Sequence, residues 1–101
     1  MSAETIRRVE ILFAPEHHEW VKLKLYEECG NNLGFLEKAD MYALERFRFA
    51  ALKVSGGDVS KLVDAVSLAY VDWRDLLVAA EFAKDVDAHG SWEPKPHFKT
   101  P

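Results

Sequence analysis

The chain predicts an all-α fold: a small single-domain bundle of four to five short helices, followed by a flexible, proline-containing C-terminal tail. Three observations carry this expectation. Apolar residues recur three and four positions apart over most of the length, which is the period of one helix face. Proline and glycine interrupt that pattern at Pro15, Gly30, Gly56 and Gly90, leaving segments of ordinary helix length. At 101 residues, 49% of them hydrophobic, the chain suffices for one core and leaves little room for two.

The first segment, Thr5 to Phe13, spaces Ile6, Val9 and Leu12 as a helix would, with Thr5 as N-cap. Pro15 then suits the first position of a second helix, where Glu16 meets the positive end of the dipole. This helix is expected to run to about Cys29 and stop at Gly30. Within it, "WVKLKLY" alternates apolar and lysine residues with the period of a strand. No neighbouring segment supplies a strand to pair with it, and an isolated strand leaves its backbone groups unsatisfied, so residues 20–29 read as helix.

"GNNLG" is a turn by composition, and the longest helix is expected from Leu33 to Ser55. Its stripe is Leu36, Leu44, Phe47, Ala51 and Val54, with Asp40 close enough to it to mark a potential break. Gly56 supplies a left-handed residue past the end, and Asp58 caps the next helix, Val59 to Tyr70. Asp72 and Asp75 then resemble a capping box that opens a last helix through Trp73, Leu76, Leu77, Ala80 and Ala83, ending at Gly90. The domain is thus expected over residues 1–92. The tail, 93–101, carries three of the four prolines and no periodicity.

Composition narrows the function classes. A formal charge of −4 disfavours a polyanion binder, which normally carries excess lysine and arginine. One cysteine, Cys29, excludes an intrachain disulfide and fits a reducing compartment. No apolar run approaches the ~18 residues that span a bilayer. The N-terminal apolar patch is broken by Glu4 and Glu10, unlike a cleaved leader, so a cytoplasmic protein is expected.

Four clusters merit chemical scrutiny. Asp72 and Asp75, with Arg74, would suit acid–base work or a metal, but a helix cap explains both aspartates without chemistry. Asp85 and His89, four apart, would share a helix face as two metal ligands or as a surface ion pair that raises the histidine's pKa. His17 and His18 precede Glu19, but the second histidine of the two-histidine zinc pattern is missing, so a solvated first turn is expected. Arg46, Arg48 and Lys53, interleaved with Phe47 and Phe49, would contact nucleic acid only if that face were free. Cys29 reads as a packing residue, and no motif calls for a cofactor.

The segments "ERFRFAALKVSGGDVSKL" and "DWRDLLVAAEFAKDVDAHGSW" resemble a group of small bacterial helical proteins that share a DWRDLL motif, an Ala-Phe segment and a His-to-Trp close. The likeness covers about half the chain. It implies a bacterial, soluble helical protein and carries no catalytic residue over.

Aromatic content decides the leading expectation. Three tryptophans, three tyrosines and six phenylalanines are many for short helices to hide, and exposed aromatics mark interfaces. A non-enzymatic protein–protein interaction or self-associating module is therefore expected, with Phe49, Trp73, Phe82 and Trp92 as its surface. The alternatives are a small metal-binding protein or enzyme using Asp72, Asp75, Asp85 and His89, and, further off, a nucleic-acid binder.

Overall fold

A computed structural model describes residues 1–96, with only the backbone of Phe35. Among these residues there are five α-helices and no strand: α1 (Ala3–Leu12), α2 (His18–Glu28), α3 (Met41–Ser55), α4 (Val59–Val71) and α5 (Trp73–Ala79). Short 3-10 turns at Pro15–His17, Gly34–Leu36 and Ala88–Ser91 complete the path. The all-α expectation holds, and residues 20–28 are helical, with Cys29 as the cap that follows. Residues 97–101 of the expected tail lie outside the described residues.

The central element is α3. Phe47 through Leu52 are six consecutive buried residues, which leaves no free side to that part of the helix. It packs against α1, α4, α5 and the Ala88–Ser91 turn, while α2 closes over α1 and α4. Ala50 and Ala51 are small enough for neighbouring helices to approach closely, and Phe49 fills the space toward α1.

Caps explain where the helices begin. The cap of α1 is Ser2 rather than Thr5: the Ser2 hydroxyl accepts the Thr5 N–H at 3.1 Å, and Thr5 is itself buried. Helix α2 starts three residues after Pro15, once a 3-10 turn has rotated the chain. The expected helix from Leu33 is interrupted. Leu33 and Leu36 are buried through a 3-10 turn, and Asp40 starts α3 afresh by accepting the Ala43 N–H at 2.9 Å.

Gly30 ends α2 for a reason other than a left-handed backbone. A Cβ at Gly30 would stand 2.5 Å from the Arg48 guanidinium, whose Nε donates to the Cys29 carbonyl at 3.0 Å. Gly56 does take the left-handed conformation, at φ 58°, and Asp58 caps α4 through the Lys61 N–H. A single residue, Asp72, then ends α4 and caps α5 by accepting the Arg74 N–H at 3.1 Å.

The last helix is shorter than the sequence implies. It stops at Ala79, whereas the apolar spacing continues toward Gly90. The Phe82 N–H bonds the Leu77 carbonyl at 2.8 Å and the Glu81 N–H bonds Val78 at 3.0 Å, the paired bonds of a Schellman stop. Its left-handed position is filled by Glu81, at φ 66°, where glycine is usual. With no glycine there, nothing local announces the stop. It is fixed by burial of Leu77 and Phe82 on the same side of the turn.

Glu81→Gly should therefore stabilise the protein by about 0.5–1 kcal/mol, relieving the left-handed strain at the cost of an exposed contact to Lys53. Thermal unfolding should show a Tm rise of a few degrees. An unchanged or lowered Tm would contradict the strained cap.

Candidate functional site

The four chemical clusters do not assemble. Asp72 is engaged by the first turn of α5, and Asp75 sits in that same turn. Asp85 accepts the Asp87 N–H at 2.8 Å in the loop beyond. Because the helix stops at Ala79, Asp85 and His89 share no helix face. Among the described residues, no group of three or more His, Cys, Asp or Glu is placed to hold a metal ion.

His17 lies near Glu16, while the His18 ring donates to the Phe13 carbonyl at 2.7 Å and braces the α1–α2 corner. The expected solvated turn is thus half-buried at both histidines.

The basic stripe on α3 is occupied internally. Arg46 donates to the Phe82 carbonyl at 2.9 Å, and Arg48 is buried against Cys29. The Lys53 ammonium stands 5.0 Å from the centre of the Phe82 ring. These three cations brace the fold and do not present a free groove-binding face. Cys29 is fully buried, and burial pushes its thiol up to about 12, which disfavours the reactive thiolate.

The expected aromatic surface requires correction. Phe49 and Phe82 are buried in the core, and Trp73 and Trp92 are half-buried. Trp73 packs edge-on to Phe47. Phe49 and Phe82 converge on His89, which is 0% exposed. Phe49 and Phe82 meet its ring at 5.4 and 6.3 Å, Tyr42 meets it at 4.7 Å, and Trp92 closes over both phenylalanines at 6.3 and 6.4 Å.

Neither ring nitrogen of His89 has a hydrogen-bond partner of good geometry, although the Val86 backbone lies near enough to favour a proton weakly. Burial dominates and holds the imidazole below its ordinary pKa, the reverse of the shift expected for a surface pair with Asp85.

Arg8, unremarked in the sequence pattern, secures the same region. Its guanidinium lies 4.1 Å from the Phe49 ring centre and donates to the Trp92 carbonyl at 3.0 Å and to Glu4 at 2.6 Å. Arg7 grips Glu93 through two hydrogen bonds of 3.0 and 2.8 Å. Both arginines sit on α1 and hold the end of the domain.

An exposed apolar ridge lies elsewhere, on α2. Val21 and Leu25 point into the core, while Trp20, Leu23 and Tyr26 are 45%, 54% and 62% exposed. At about 100° per residue, Leu23 points directly away from the Val21–Leu25 face, with Trp20 and Tyr26 flanking it about 60° to either side. A shallow groove beside Trp20 and Leu23 is edged by Glu27 and Glu28, and a second one, lined by Lys24 and Glu28, leads to exposed Tyr70 and Val71 of α4.

The signal for this ridge is present in the sequence, as a second apolar stripe at positions 20, 23 and 26 opposite the first. Lysines on both sides of Leu23 disguise it as strand alternation.

No protein family, curated protein or solved structure matches the chain. Among the described residues, no helix is long and apolar enough to cross a membrane.

The state of Cys29 gives a direct check. At pH 8, native protein should react with a disulfide reagent more than about a hundredfold slower than protein in denaturant, because the thiol must be uncovered first. Comparable rates would show that Cys29 is accessible and the packing around the end of α2 loose.

Proposed function

We propose that the protein is a non-enzymatic interaction module that docks another protein on the outer ridge of α2. The observation that carries this reading is the apolar triplet Trp20, Leu23 and Tyr26, exposed on one helix face directly opposite the core. Large aromatic and aliphatic side chains held on a rigid helix lose little entropy on binding and provide the usual anchors of an interface. The exposed Tyr70 and Val71 of α4 lie across a groove lined by Lys24 and Glu28.

Charge favours a different chain over a second copy. Glu16, Glu19 and Glu27 are exposed around the ridge, whereas Lys22 and Lys24 lie back toward Glu19 and Glu28. An antiparallel pairing of two α2 helices about Leu23 would set Glu19 against the second Glu27 and Lys22 against the second Lys24. Like charges across an interface cost affinity and suppress that partner. A protein face with apolar residues rimmed by lysine or arginine matches the ridge.

Placing a photo-crosslinking phenylalanine analogue at Leu23 in the producing cell tests the reading. A discrete adduct from position 23, missing from exposed Lys61 and abolished by Trp20→Ala with Tyr26→Ala, is expected. A gain of one chain mass, 11.5 kDa, would identify a second copy as the partner. No adduct would remove the docking reading. Leu23→Glu should leave stability within about 0.5 kcal/mol, since the side chain is outside the core.

A further inference from the structure

We propose that residues 85–93 form an acid-released latch, held closed near neutral pH by the uncharged His89 ring inserted between α3 and the turn that follows α5. The segment has little regular structure of its own: one 3-10 turn, Ala88–Ser91, flanked by exposed residues. What holds it is a short set of ties. His89 and Trp92 plug the space against Tyr42, Phe49 and Phe82. The Tyr42 hydroxyl donates to Asp87, Arg8 takes the Trp92 carbonyl, and Arg7 takes Glu93.

These ties differ in their response to acid. Arg7 and Arg8 hold the Glu4 carboxyl, and Arg7 holds that of Glu93, below the usual carboxylate range, and the Asp87 carboxylate holds the Tyr42 hydroxyl above its ordinary value. Mild acidification therefore leaves the glutamates ionised and the tyrosine neutral. His17 and His18 belong to the α1–α2 corner, outside the latch. Within it, His89 is the histidine that gains a proton; neither nitrogen has a hydrogen-bond partner of good geometry, and the weak help of the Val86 backbone does not offset burial.

The charges around His89 do not reverse this. Glu45 on α3 and Asp87 on the latch favour a proton, while Arg46 on α3 and the larger effect of desolvation oppose it and prevail. Arg8 from α1 and Lys53 from the end of α3 add positive charge behind Phe49 and Phe82.

A folded-state value lowered from about 6.5 fixes the sign. The closed form keeps its full stability above the unfolded value and loses it as pH falls toward the folded one. The charged ring gains hydration by leaving, and only the latch has to move for it to do so. Release uncovers Phe49 and Phe82, which would make an apolar face available only in acid.

Protein NMR between pH 7.5 and 5 tests the latch. The His89 ring signal, the Trp92 indole and the amides of Ala88 and Gly90 should change together with one midpoint below 6.5. Amide protection over residues 88–92 should fall at least tenfold, while α4 amides hold. His89→Phe, or His89→Met should the first fail to fold, should remove the transition and keep the latch closed at pH 5. Unchanged latch signals in the wild type, a transition that survives in a folded variant, or loss of α4 at the same midpoint would each overturn the proposal.

Discussion

The guanidinium of Arg8 lying 4.1 Å above the Phe49 ring joins three parts of the chain that have little else in common. It comes from the first helix, it stacks on the central one, and it takes the carbonyl of Trp92 at the end of the domain. A buried arginine is costly unless its donors are satisfied, and here Glu4, Trp92 and the face of Phe49 compensate most of that cost. The charge must stay paired, so the C-terminal segment has to lie across α1 and α3. That placement lets Trp92 cover Phe49 and Phe82, and it encloses His89.

The early stop of α5 has the complementary effect. A helix continued from Trp73 to Gly90 would carry Phe82 and His89 outward along a straight rod. The Schellman turn at Glu81 instead folds the chain back on α3, and two rings that periodicity places on a surface become core. Val78 and Val86 are left exposed by the same turn. Phe49 and Phe82, whose aromatic character first suggests an interaction surface, are therefore covered. Asp72 and Asp75 become a helix cap, Asp85 stays in an exposed loop, His89 becomes a buried plug, and an apolar ridge is left free on α2.

The helices themselves were readable where their signals are local. Asp58, Gly56 and the Asp72 cap act through backbone groups two or three residues away, so short spacing suffices to find them. Asp40 shows the limit of that reading, since the same residue type reads either as a blemish in a long stripe or as the cap of a shorter helix. The backbone decides for the cap, because Leu33 and Asp40 are both extended and no continuous helix can run through them. On α2 the difficulty is different: two apolar stripes on opposite faces cancel any one-sided pattern and imitate a strand.

By itself, the sequence determined the all-α class, most helix limits and the structural use of Asp58, Asp72 and Gly56, because caps and periodicity are properties of a few adjacent residues. It also limited what chemistry was available, with one cysteine and no complete metal or nucleotide motif. Tertiary structure alone decided which aromatics are hidden. Phe49 and Trp20 are equally apolar to a local reading. One is covered because Arg8 and Trp92 arrive from residues over 40 positions away, and the other is exposed because no described element packs on that side of α2. Burial is a property of partners distant in the chain, and the neighbours of a residue do not encode it.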